Sequence, residues 1–186
     1  QHPGSLELFD DGTTMPDGVH ATLPTGRPFP SLASSEWRKA IGGALRRLIE
    51  HVQQSRFGSH IFGWFLSGLH TEEFYHWACS TKKLAGYSQP TVCAFRAWLR
   101  GMYGSDAALQ DAWNAADVTL QTAAVPSREQ RRDVGDGVFR DPARQQNVLD
   151  FYAFWNELIP ETIDHFSAVA RRATAGRKVI GAFYGY

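Results

Sequence analysis

The sequence is poor in cysteine, with only Cys79 and Cys93 among its 186 residues. Two thiols cannot form a disulfide framework or a four-ligand zinc site, so we expect both to be small buried apolar side chains, and we expect no metal or other cofactor. The chain also lacks an apolar run long enough for a transmembrane helix, and it lacks a signal peptide pattern. These absences favour a soluble, cytoplasmic protein, although a sequence that begins at Gln1 rather than Met leaves targeting undecided.

Net charge is absent as well, because 19 basic and 19 acidic residues are mixed along the chain. Nucleic acids and anionic membranes attract basic surfaces, so neither is expected as a partner, and a neutral ligand fits the composition better. The sequence has no phosphate-binding glycine loop, nucleophile elbow, internal repeat or low-complexity segment. What it does have is 43% hydrophobic and 13% aromatic content, which predicts one globular unit with a single core over residues 1–186.

Most of the chemistry is concentrated in residues 59–77. Ile61 to Leu66 is a nearly continuous apolar run, typical of a strand buried on both faces of a parallel sheet. Polar and aromatic residues follow directly: His70, Glu72, Glu73, Tyr75, His76 and Trp77. Ligands of α/β proteins bind just past the C-terminal ends of strands. Because apolar neighbours raise the pKa of a carboxyl and aromatic rings pack against sugars, this pattern indicates acid catalysis on a sugar ring.

Helices are predicted on both sides of this stretch. Capping residues and apolar residues at helical spacing place them from Ser34 or Ser35 to before Gly58, from Ser88 to Gly104, from Ser105 to Trp113, at Ser127–Gln130 and from Asp141 to Gly176. The last helix is expected to bend at Pro160. A second buried strand, Lys178 to Phe183, follows it and ends at Tyr184. The arginine pairs, Arg131-Arg132 among them, are expected to be solvated on polar helix faces.

The N-terminal loop, residues 1–31, is broken by prolines and glycines. Only Leu6 to Phe9 suggests a short strand, and the charged residues of the loop are expected to be solvated turn residues. The two or three strands and four or five helices of the whole chain cannot close a (β/α)8 barrel, which needs at least about 200 residues. We therefore predict an α/β fold, a partial (β/α)8 TIM-barrel segment that is helix-rich with two or three parallel strands, in which residues 32–186 form the βα units.

Several motifs in one order resemble the barrel of family 42 glycoside hydrolases, the β-galactosidase-like enzymes. They are Trp37-Arg-Lys with its helix and "HVQQSRFGSHIFGWFLSG", then "TEEFYHW", "AFRAWLRGMYGSDAALQDAW", "VTLQTAAVP" and "GRKVIGAFYGY". The resemblance covers residues from about 30 to the end of the chain. The "FRAWLRGMYG" and "ALQDAW" motifs fix how this chain aligns with the strands of the family's barrel, since this pattern follows the acid/base strand in the family.

The resemblance implies that Ile61 to Leu66 is strand 4 of the barrel and that Val179 to Phe183 is strand 5. It implies that Glu73 is the general acid/base, and that Glu72 replaces the Asn that binds the sugar in that family. The side chains implied to contact a galactoside-type ligand are His70, Tyr75, His76, Trp77 and Tyr184. A retaining glycosidase needs a second carboxyl about 5 Å from the first. In the family this nucleophile is a Glu on strand 7, so we expect it to lie outside this chain.

Two other functions stay open at this point. The chain is interpreted alternatively as a non-catalytic carbohydrate-binding remnant, or as an assembly fragment that forms a homo-oligomer or pairs with the remainder of the barrel through its sheet edges. His70 and His76 fit a structural role, as hydrogen-bonded histidines, as well as they fit sugar contact. The tryptophans at helical or mid-strand positions are expected in the core: Trp64, Trp98, Trp113 and Trp155.

Overall fold

The computed structural model describes residues 3–14, 28–68, 73–74, 76, 82–134 and 139–184. Five of the residues singled out above lie outside these ranges: His70, Glu72, Tyr75, Trp77 and Cys79. The helices of the described part are α1 (Ser35–Gln54), α2 (Gln89–Tyr103), α3 (Asp106–Trp113), α4 (Arg128–Arg132) and α5 (Pro142–Ala173). Its strands are β1 (Gly63–Leu66), β2 (Glu73–Phe74) and β3 (Val179–Tyr184).

The helices begin at the capping residues that the sequence predicts. At each helix start, a side-chain oxygen accepts a hydrogen bond from a backbone N–H two or three residues further on, as seen at Ser34, Ser88, Ser105, Ser127 and Asp141. The α2 helix ends at Gly104, whose φ of 71° is the left-handed conformation that glycine adopts without strain. In the described part of the chain, no helix combines the length and apolar character needed to cross a membrane.

The longest helix, α5, departs from helical dihedrals near its start rather than at Pro160. The irregular residue is Gln145, with φ −132° and ψ 24°. Its side chain donates a hydrogen bond to the carbonyl of Asp133 and accepts one from the backbone N–H of Asp141. These side-chain bonds to the preceding loop account for the irregular turn, which the sequence pattern does not reveal.

The sheet contains three parallel strands in the order β1-β3-β2. The β1 strand pairs with the first part of β3, from Gly63 opposite Val179 to Leu66 opposite Ala182. The short β2 strand pairs with the last two residues of β3. The two predicted strands are therefore confirmed as parallel neighbours, whereas Leu6 to Phe9 forms only isolated bridges, to Pro30, Thr14 and Ala85.

The two faces of the sheet have different environments. Trp64, Leu66, Ile180 and Ala182 pack against a core to which α1 and α5 contribute Ile49 and Phe166, among others. The opposite face, which we call the open face, carries Phe65 (55% exposed), Val179 (65%) and Phe183 (49%). Helices therefore cover one side of the sheet, and the apolar side chains of the open face remain accessible in this chain.

The predicted environments of Cys93 and Arg131 are wrong. Cys93 is exposed on α2 rather than buried. Arg131 is 6% exposed rather than solvated, because its guanidinium donates to the carbonyl of Ala85 and lies 4.7 Å from the centroid of the Phe151 ring. Helical spacing shows which face of a helix a residue occupies, but it does not show that a loop carbonyl and an aromatic ring meet that face.

The N-terminal loop is bound to the rest of the fold through carboxylates. Asp10 pairs with Arg128 and accepts a hydrogen bond from the N–H of Leu84 at 3.1 Å. Burial alone would raise the pKa of Asp10, but these two hydrogen bonds outweigh it and lower the pKa. Glu7 is buried and accepts from the Ser88 N–H and the Thr91 hydroxyl at the start of α2. The expectation of solvated turn residues is therefore wrong for Asp10.

Asp150 is a second buried carboxylate that joins three helices. Its Oδ2 accepts hydrogen bonds from the Tyr103 hydroxyl at 2.7 Å and the Trp113 indole N–H at 2.6 Å, and its Oδ1 accepts from Gln146 at 2.7 Å. Burial and the neighbouring carboxylate raise the pKa of Tyr103. These bonds tie α2 and α3 to α5 inside the core, where a carboxylate without donors would be costly.

Replacing Trp113 with Phe should lower the free energy of unfolding by about 1–3 kcal/mol, because buried Asp150 loses one of its donors. The matched control is Trp98→Phe, which removes an indole N–H that donates to Glu157 at an exposed position. We expect that change to cost only about 0.5 kcal/mol. Urea denaturation of both variants tests this, and equal losses would contradict the structural role assigned to Asp150.

Candidate functional site

Glu73 lies at the C-terminal edge of the sheet, on the open face. It pairs with Phe183, one position beyond the last β1 pair along β3. Paired residues of neighbouring strands project to the same face, and Phe183 belongs to the open face together with Phe65. The ring centroids of Phe65 and Phe183 are 4.7 Å apart in an edge-to-face arrangement. The partly buried carboxyl of Glu73 is thus carried on the face that this aromatic pair occupies.

Phe74 fixes the other side of β2. It pairs with Tyr184 and is buried in the core. A Cβ on Gly68 would lie 2.6 Å from the Phe74 ring, so this ring rests directly on the backbone at Gly68, just after β1. Alternation along the strand then requires Glu73 to project away from the core. The same alternation places Tyr184 on the face opposite to Glu73, so the structure does not bring these two predicted site residues together.

His76 lies against α5. Its ring stacks on the Trp155 ring, with centroids 3.8 Å apart and planes inclined by 13°. Its Nε2 is hydrogen-bonded to the backbone carbonyl of Trp155. Because a carbonyl only accepts, the proton is assigned to Nε2. Burial, opposed by the Trp155 carbonyl and reinforced by the positive charge of Arg131, lowers the pKa of His76 to about 4.

The depressed pKa of His76 makes stability pH-dependent between about 6.5 and about 4. In this window the unfolded state binds more protons than the folded state, so the free energy of unfolding falls as the pH falls. His76 as a whole is half-buried, so we expect a loss of at most about 3 kcal/mol. His76→Gln cannot titrate and should lack this part of the loss. Urea denaturation at several pH values measures it, and identical pH profiles for both proteins would contradict the stated cause.

A cavity of about 480 Å³ lies beside the site, between α1 and the β1 edge. Its walls include Ile41 and Leu48 of α1, Trp64 of β1 and Phe74 of β2. Ile41 and Leu48 are exposed, and the buried Nε1 of Trp64 has no hydrogen-bond partner among the described residues. The cavity is therefore an apolar groove with one unused donor. Its walls come mostly from the helix side of the sheet, and Phe65 of the open face also lines it.

The stretch 59–77 contains the signal for Glu73, and a segment of a parallel barrel is expected to leave one sheet face uncovered. Alternating positions in "GWFL" and "VIGAFY" place Phe65, Val179 and Phe183 on that face, although the apolar run Ile61 to Leu66 is typical of a strand buried on both faces. In the part of the chain that the structure describes, no group of three or more His, Cys, Asp or Glu is placed to hold a metal ion. The chemistry that this arrangement supports is proton transfer by a carboxyl beside aromatic rings.

Comparison with known proteins shows the fold class. No family model and no curated protein sequence matches the chain. Among solved structures, the catalytic domain of β-amylase from Paenibacillus polymyxa matches 98% of this chain and 42% of its own, with 17% identity and a TM-score of 0.70. The β-galactosidase from the psychrophilic Marinomonas ef1 matches 97% of this chain and 24% of its own, with 19% identity and a TM-score of 0.65.

A β-galactosidase from Bacillus circulans sp. alkalophilus is similar to the same extent, with 19% identity and a TM-score of 0.64 over 96% of this chain and 23% of its own. The chain thus spans less than half the length of each of these structures. Together with the three parallel strands and their helices, these matches confirm the predicted fold class, a helix-rich α/β segment of a TIM barrel. Its structural neighbours are glycoside hydrolases.

Proposed function

We propose that the chain is part of a glycoside hydrolase related to the family 42 β-galactosidases, and that Glu73 is its general acid/base. The observation that carries this proposal is the position of Glu73 at the C-terminal edge of a parallel sheet, on the face away from the helices. In TIM-barrel enzymes, catalytic groups project from this edge. The order of the sequence motifs and the β-galactosidases among the structural neighbours support the choice of substrate.

In this mechanism the protonated Glu73 donates its proton to the glycosidic oxygen as the bond to the leaving group breaks. The carboxylate then accepts a proton from the water that releases the sugar. The nucleophile is a second carboxylate about 5 Å from the first, supplied from outside these 186 residues. The side chains that shape the sugar site in this proposal are those of Glu72, His70, Tyr75 and Trp77. His76 and Tyr184 contribute through the backbone segments that lead up to them.

The open face and the outer edge of β1 are where the rest of the barrel would be added. Phe65, Val179 and Phe183 are too apolar to remain in water as a patch, and the outer edge of β1 has no strand partner among the described residues. Further parallel βα units of the barrel would cover both, and a second copy is the alternative partner. Either would exclude water from the face on which Glu73 lies, which strengthens the electrostatic interactions of a carboxyl.

Hydrolysis followed by proton NMR tests the proposed function. The assay uses a polypeptide that includes the βα units after strand β3, since the second carboxylate is expected there. We expect a β-galactoside to give the β-anomer of galactose first, because two displacements at C1 retain configuration. Release of the α-anomer first, or cleavage of soluble starch without cleavage of the galactoside, would reject the retaining β-galactosidase mechanism.

A further inference from the structure

Among the described residues, the backbone of the segment that carries Glu73 is held by a very short ladder. The β2 strand is two residues long, and both of its pairs are with the end of β3. A ladder this short gives few hydrogen bonds, and a strand end of this kind frays unless side chains hold it. The side chains of Phe74 and His76, which anchor this segment, are therefore expected to contribute to the position of the Glu73 carboxyl.

Two anchors hold this segment on the helix side. Phe74 is buried in the core and rests on the backbone of Gly68. His76 forms the second anchor, through its stacking on Trp155 and its bond to the Trp155 carbonyl. Trp155 is itself fixed, because it is buried and stacks on Phe151 with ring centroids 5.6 Å apart.

The hydrogen bond to Trp155 suits a structural role of His76 rather than proton transfer. Neutral His76 has two ring nitrogens, and the one that carries the proton is bonded to a main-chain carbonyl of α5. Both ring faces cannot contact a sugar while one of them covers Trp155. The geometry thus separates two functions within four residues: Glu73 projects to the open face, and His76 is attached to the helix behind it.

We propose that His76 is a positioning residue, which holds the Glu73 carboxyl at the sheet edge by attaching the end of its segment to Trp155 of α5. This inference rests on the proposed function of Glu73, and it replaces sugar contact as the role of His76. Displacement of a catalytic group by about 1 Å can cost about 10²-fold in rate. An anchor three residues from the carboxyl is therefore expected to influence kcat without touching the substrate.

Two variants test the proposal in the polypeptide used for the hydrolysis assay. His76→Leu replaces the imidazole with an apolar side chain of similar size and so removes the N–H donor and the ring, whereas His76→Gln keeps an N–H that can reach the Trp155 carbonyl. The first measurement is amide hydrogen exchange, which needs no substrate. In His76→Leu we expect the amides of β2 and of its partners Phe183 and Tyr184 to exchange about tenfold faster or more, with Leu99 in α2 unchanged.

The second measurement is kinetic. His76→Leu should lower kcat by about tenfold or more while KM changes by less than about twofold, and His76→Gln should recover most of the loss. Three results for His76→Leu would each overturn the proposal: faster amide exchange throughout the chain, unchanged exchange in β2, or a normal kcat although the β2 amides exchange faster. If the unmodified protein cleaves no glycoside, the proposed function fails, and the exchange data still show whether His76 holds the segment.

Discussion

Replacing Glu73 with Gln is expected to slow the hydrolysis of an alkyl β-galactoside by about 10²–10⁴-fold, the usual contribution of a general acid. Gln has nearly the same shape but no proton to donate to the departing oxygen. Since Glu73 projects to the open face and Phe74 holds the strand, the substitution should leave the fold unchanged. Steady-state kinetics on the alkyl galactoside, with the free energy of unfolding measured in parallel, checks both expectations.

Glu72→Gln is the matched control for this experiment, because it makes the same chemical change at the neighbouring position. The pairing that places a carboxyl beside Phe183 is that of Glu73. We expect Glu72→Gln to lose much less activity than Glu73→Gln. A large loss in Glu72→Gln alone would transfer the acid role to that residue and would contradict the placement of Glu73.

The 186-residue chain by itself is expected to associate at micromolar concentration and to show no galactosidase turnover. The open face exposes Phe65, Val179 and Phe183, and contiguous apolar surface of this kind promotes contact between copies. Turnover is not expected because the second carboxylate is missing.

Light scattering on three proteins tests whether the chain associates through the open face or nonspecifically. Val179→Lys places a charge on the open face, and it should shift the average mass toward the 20.8 kDa of the monomer. Met102→Lys makes a similar change at an exposed apolar residue of α2, away from the sheet, and should leave association unchanged. A cooperatively folding monomer in the unmodified chain, or equal effects of the two substitutions, would contradict the assignment of the open face.

Local signals in the sequence are sufficient to predict most of the secondary structure. The helix starts at Ser34, Ser88 and Ser105 follow from the capping side chain and the apolar spacing behind it, both of which depend on a few neighbouring residues. Features set by distant residues were not accessible in this way. The burial of Arg131 depends on a carbonyl in another loop, and the irregular turn at Gln145 depends on Asp133.

The candidate site was predictable in part for the same reason. An apolar run followed by Glu73 predicts a carboxyl at the C-terminal end of the strand Ile61 to Leu66. The structure instead places Glu73 on the separate strand β2, which pairs with the end of β3 and not with β1. Its role in catalysis stays a prediction. The contact of His76 with Trp155 joins residues that are 79 positions apart, so no local pattern could reveal it. Which face of the sheet is open depends on where the helices pack, and this too is a property of the whole chain.

The central claim is that Glu73 donates a proton to the leaving group. The most direct test is how the activity lost in Glu73→Gln depends on the basicity of the leaving group. The values of kcat/KM, which report the first displacement and not the later release of the sugar by water, are compared for Glu73→Gln and the unmodified protein on a series of β-galactosides, from dinitrophenyl to alkyl. We expect a loss of less than about tenfold for dinitrophenolate, which leaves without protonation, rising to about 10²–10⁴-fold for an alkoxide. The same loss for every leaving group would contradict the assignment of Glu73 as the acid.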